Sequence, residues 1–194
     1  MKKFTLILVT LMLLTSISVF GQNFAKKGVW ELGGMIGFSS TTFVLSGESG
    51  DDALTTFRFE PYVGYFVINC LELGLVPSYQ TSSFGDLSES TFGIYFAPAW
   101  NFDLQSQWFP FVEGRIGYAS VSYDDGDPNT DDLTNSGFAW GARGGAKYQI
   151  GNSAIASLSL GYTQNTLNPD NWEGDRNGTN VFDVMFGFTV FLGK

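Results

Sequence analysis

Nine ionisable residues recur at alternate positions within otherwise apolar or aromatic stretches: Glu31, Arg58, Glu60, Glu72, Glu113, Arg115, Arg143, Lys147 and Asp183. Five acids against four bases make a nearly balanced set. The chemistry open to such a set is mutual neutralisation, because charges withdrawn from water must be paired or hydrogen-bonded. The chain has no His and a single Cys in 194 residues. That excludes histidine-dependent acid/base, nucleophilic and metal-ligand arrangements. One Cys also leaves no internal disulfide framework, and Cys70 is expected as a buried structural thiol. No acid pair is set apart for carboxylate-only catalysis. Neither an enzymatic activity nor a cofactor is expected.

A second group of charges is acidic and clustered. Glu48, Asp51, Asp52, Asp86, Glu89, Asp124, Asp125, Asp127, Asp131, Asp132, Asp170, Glu173 and Asp175 fall in four polar segments, with Arg176 the base among them. Asp125-Gly-Asp127-Pro-Asn129 begins like a calcium loop. Thr130 stands where that loop needs Gly, however, and Ser136 where it needs Glu. No metal site is assigned; loose attraction of divalent cations is the expectation. The formal charge of −9 makes nucleic acid an unsuitable partner.

The elements that carry the first group alternate with a period of two. In 57–80, FRFEPYVGYFVINCLELGLVPSYQ, Phe57, Phe59, Pro61, Val63 and Tyr65 fall on one face and Arg58, Glu60, Tyr62, Gly64 and Phe66 on the other. After a break at 67–69, Leu71, Leu73, Leu75, Pro77 and Tyr79 oppose Cys70, Glu72, Gly74, Val76, Ser78 and Gln80. Successive strand side chains point to opposite faces, so this is a hairpin with one bulky apolar face and one mixed, charged face. The same alternation predicts strands over 28–40, 92–102, 108–122, 137–150, 154–163 and 180–193. Polar segments at 41–53, 81–89, 123–136 and 164–179 are expected as long loops, and 103–107 and 151–153 as tight turns.

Eight strands joined alternately by long and short connections describe an up-and-down barrel. The charged face then lines the lumen and the bulky face meets lipid. Aromatic residues sort toward the strand ends, with Trp30, Tyr65, Trp100, Tyr148 and nearby Trp108 at the short-turn end. Phe57, Tyr79, Phe92, Tyr118, Phe138, Tyr162 and Phe182 mark the other end. Two such belts suit the two headgroup interfaces of a bilayer. A soluble lipocalin-like carrier shares the strand pattern, but its lumen would be lined with apolar groups. At the start of the chain, Lys2 and Lys3 precede an apolar run from Phe4 to Leu14, and Val19 and Gly21 frame a cut before Gln22. Residues 1–21 therefore read as a secretory signal peptide, with an uncleaved anchor as the alternative. Loss of Lys2 and Lys3 takes the charge from −9 to −11.

The signal segment, PYVGYFV followed by CLELGL, FAPAWNF before PFVEGRIGYAS, and the terminal FGFTVFL together resemble the small outer-membrane β-barrel family of OmpA/OmpX-like transmembrane domains. The resemblance spans residues 22–194. It implies an all-β, eight-stranded antiparallel up-and-down transmembrane barrel, monomeric, with both termini in the periplasm and the acidic loops outside. It also implies contact with lipopolysaccharide and phospholipid, and extracellular ligands at the loops. The last strand resembles the signal read by the barrel-assembly machinery through Gly187, Val190 and Leu192, with Met185 at the usual polar first position. Two lumenal roles follow: a salt-bridge plug in a structural or adhesion-like barrel, or a small porin-type channel for ions or solutes. Contacts among Glu113, Arg143 and Lys147 are expected between the fifth and sixth strands.

Overall fold

The computed structural model describes residues 24–84, 87–124, 133–167 and 177–193. Eight strands follow in order: β1 (Trp30–Leu45), β2 (Glu48–Ile68), β3 (Leu71–Phe84), β4 (Leu87–Asn101), β5 (Trp108–Asp124), β6 (Leu133–Ile150), β7 (Ala154–Thr166) and β8 (Gly178–Leu192). Each pairs antiparallel with its sequence neighbours, and β1 pairs with β8 to close the barrel. Closure satisfies the backbone groups that an open sheet leaves at its edges.

The strands extend further than the polar composition of their ends suggests. The β1–β2 ladder continues through Leu45↔Glu48, past a register shift between Thr42 and Val44. It closes on Ser46 and Gly47, both with positive φ (49° and 81°), the backbone a two-residue hairpin requires. Strands also run into the other three predicted loops, reaching Phe84 and Leu87, Asp124 and Leu133, and Thr166 and Gly178. Paired strands satisfy their own backbone, and hydroxyl side chains join across the ladder. Ser136 Oγ donates to Ser120 Oγ at 2.9 Å, and Ser122 and Thr134 hydroxyls meet at 2.7 Å. Ser136, counted above as the last position of a calcium-like loop, is thus a strand residue. Asp125–Asp132 lie outside the described residues.

Outside, the aromatic residues pair in register. Trp30 faces Tyr65 and Trp108 faces Tyr148, each pair with ring centroids 4.8 Å apart. At the long-loop end Tyr79 faces Phe92, Tyr118 faces Phe138, and Tyr162 faces Phe182. Between these rows Ile36, Leu75, Phe96, Ile116, Leu158, Leu160 and Phe186 are all exposed. A row of this size facing outward is the reverse of a soluble protein's surface.

Inside, the lumen is layered. At the short-turn end Phe66, Phe109, Ile155 and Phe191 turn inward and pack with Phe24, Ala25 and Val29. The segment that precedes β1 therefore folds back into the mouth. Charged residues fill the middle, interleaved with Met35, Tyr62, Val76, Tyr95 and Met185. Toward the long-loop end the lining becomes neutral and polar, with Ser39, Thr41, Thr56 and Gln80 buried. Cys70 is half-buried rather than buried. It sits in the β2–β3 turn with φ 69°.

Candidate functional site

The nine ionisable residues all lie buried within the barrel. Strand alternation delivers them: Arg58 and Glu60 are two positions apart on β2, Glu113 and Arg115 on β5, and Arg143 and Lys147 four apart on β6. Each therefore points the same way as its partner along the strand.

Glu60 is the hub. Its Oε1 forms an ion pair with Arg58 Nε at 2.9 Å, whose N–H is donated to Ser78 Oγ, and accepts from Arg115 Nη1 at 3.1 Å, while its Oε2 accepts from Arg143 Nη1 at 2.8 Å. Asp183 receives Arg143 Nη2 at 2.9 Å and Arg58 Nη1 at 3.3 Å. Glu113 receives Arg115 Nη2 at 2.7 Å. Three guanidinium groups thus meet three carboxylates, a formally neutral cluster of charge-assisted bonds. The Arg115 guanidinium also lies 5.3 Å from the Tyr95 ring centroid, within cation–π range.

A second group lies nearer the short-turn end. Lys147 Nζ donates to Glu31 Oε2 at 2.7 Å and Glu72 Oε2 at 2.9 Å. Thr189 Oγ1 donates to Glu31 Oε1 at 2.6 Å, and Asn101 Nδ2 to Glu72 Oε2 at 3.2 Å. The ammonium is walled by the rings of Phe24, Tyr62 and Phe111 at 5.1, 5.6 and 5.3 Å. Here two carboxylates share one cation.

Glycine makes room for this packing. Gly64 and Gly74 are register partners on β2 and β3. A Cβ at Gly64 would overlap Glu72 Oε1, and one at Gly74 would stand 3.0 Å from the Tyr62 ring. A side chain at either position would push Glu72 or Tyr62 out of place.

The predicted contacts among Glu113, Arg143 and Lys147 are replaced by others. Glu113 and Arg143 are register partners, yet Glu113 pairs with Arg115 while Arg143 reaches Glu60 and Asp183. Lys147 likewise reaches β1 and β3. In a narrow barrel a long side chain spans the lumen, so the far wall competes with the adjacent strand. A cavity of about 10 Å³ beside Lys147 is bounded by Glu31, Met35, Tyr62, Phe111, Glu113, Ser157 and Thr189. Among the described residues no group of three or more His, Cys, Asp or Glu is placed to hold a metal ion.

No family model matches the chain, and no curated protein sequence matches it. Solved structures do. The barrel is similar to neisserial surface protein A (15% identity, TM-score 0.65, covering 84% of this chain and 99% of that one). It is similar to Ail, the attachment invasion locus protein of Yersinia pestis (13%, 0.52, 86% and 99%). It is also similar to the outer membrane protein OprG of Pseudomonas aeruginosa (14%, 0.50, 87% and 98%). At these identities the likeness is one of architecture: the chain has the fold of the small eight-stranded outer-membrane β-barrels.

Proposed function

We propose that the protein is an integral outer-membrane barrel with a structural or surface-interaction role, a lumen closed by its own ion pairs, and no catalysis. The observation that carries this reading is Glu60 ion-paired with three arginines on β2, β5 and β6 at 2.8–3.1 Å. An eight-stranded barrel is just wide enough for side chains to fill it. The cavity beside Lys147, about 10 Å³, has room for about one water molecule. The exposed aliphatic and aromatic rows supply the surface that a bilayer covers.

In this reading residues 1–21 are removed on secretion. The barrel-assembly machinery engages β8, and the mature barrel acts as a monomer among lipopolysaccharide and phospholipid. Partners on the cell surface meet the long-loop end. Ail has been crystallised with a heparin analogue, sucrose octasulfate. The thirteen acids of the four polar segments here favour cationic partners, because a polyanion would be repelled. Cell fractionation with heat-modifiable gel mobility tests the assignment. The protein should sediment with the outer membrane and migrate faster unheated than boiled. Recovery in the soluble fraction with unchanged mobility would refute it.

A further inference from the structure

We infer that Phe24–Val29 is a stopper that closes the short-turn mouth of the barrel and controls access from that side to the Lys147–Glu31–Glu72 group. The inference depends on the reading above only in calling this mouth periplasmic. Four strands build an apolar cup at the rim by turning Phe66, Phe109, Ile155 and Phe191 inward. This inverts the pattern higher in the lumen, where polar and charged residues predominate. Left open, the cup would face water with four large apolar side chains.

Phe24 fills it. Its ring packs edge-to-face on Phe66 and Phe109 at 5.1 Å and on Phe191 at 5.6 Å, and it is fully buried. The same ring meets Lys147 Nζ at 5.1 Å, so the stopper touches the charged group directly. The backbone is latched to the rim: Gly28 N donates to Phe66 O at 2.8 Å, Cys70 N to Ala25 O at 2.9 Å, and Lys27 N to Asn69 Oδ1 at 2.9 Å. Lys26 pairs with Asp103 at 3.3 Å on the exposed side. Positive φ at Ala25 (65°) and Gly28 (89°) turns the segment back into the mouth. The stopper precedes β1, so the eight-strand ladder does not depend on Phe24.

A single reporter thiol tests this. Ser157 lines the cavity beside Lys147, two positions along β7 from Ile155, and takes part in none of the ion pairs. In the full mature barrel, Ser157→Cys in a Cys70→Ser background should react slowly with a charged methanethiosulfonate reagent. Adding Phe24→Ala should raise the rate by about a hundredfold or more, the size that loss of one buried ring gives to a local opening. Phe24→Leu, which keeps apolar bulk, should stay near the parent rate. Equal rates for the parent and Phe24→Ala would overturn the inference. Should Phe24→Ala not fold, Ala25→Cys in the same Cys70→Ser background keeps the ring and decides the matter. Its thiol should be protected until the barrel is denatured, and rapid reaction in the folded barrel would overturn the inference. A steady conductance through the intact protein would instead sink the closed-lumen reading and leave the labelling comparison standing.

Discussion

Glu60 Oε2 accepts a bond from Arg143 Nη1 at 2.8 Å although the two residues lie 83 positions apart, on β2 and β6. Three strands lie between them either way round the barrel, so the bond crosses the lumen from one wall to the other. Removing one partner of such a pair leaves buried charge uncompensated, at a cost of about 3–5 kcal/mol. Glu60→Gln is expected to destabilise the refolded barrel by that order in urea unfolding. Adding Arg143→Met should recover part of the loss, since replacing both partners of a buried pair is far cheaper than removing one. Strict additivity of the two substitutions would contradict the coupling.

Lys147 holds two carboxylates together. Lys147→Met leaves Glu31 and Glu72 facing each other without a cation, and should cost about 3–5 kcal/mol by the same argument. Glu72→Gln in that background should restore stability, because it removes one of the two like charges. The midpoint of denaturant unfolding reads both effects.

Phe186 is 57% exposed on the outer face. Phe186→Arg should cost about 2–4 kcal/mol if that face lies at the bilayer midplane, against about 0–1 kcal/mol for a site near the interface. Leu104→Arg, in the turn that joins β4 and β5, is the matched control for depth. On the lumenal face of the same strand, Thr189 is buried and bonded to Glu31 at 2.6 Å, so an arginine there would report on packing and not on lipid. Folding free energies of the two arginine variants in lipid vesicles decide the point, and equal costs would argue against a lipid-facing Phe186.

Gly64→Ala places a methyl group on Glu72 Oε1 and against the Tyr62 ring. Overpacking of a tight interior costs about 1–3 kcal/mol. The loss should be smaller when Glu72→Gln is already present, because the displaced group no longer anchors Lys147. A double-mutant cycle measures the difference.

The strand count, the direction of each face and the nine buried ionisable residues were legible in the sequence because alternation is local. Arg58 and Glu60 reveal their shared face by spacing alone. Their partners were not legible: Glu113 faces Arg143 across β5 and β6, yet bonds Arg115 instead. Such choices depend on the width of the lumen and on what arrives from the opposite wall. The ends of the hairpins were misread because Ser, Gly and Asp are common in loops. Ser120 and Ser136 show that the same residues extend a paired ladder when hydroxyls bond across it. Phe66 stood on the charged face without explanation, since its partner Phe24 precedes β1 and lies outside the alternating pattern.

Planar-bilayer recording from the purified mature protein tests the central claim most directly. The ion pairs that bridge the lumen through Glu60 and Lys147 predict no steady open state. A sustained pore of nanosiemens size, present without denaturant and abolished by protein-specific antibody, would contradict it.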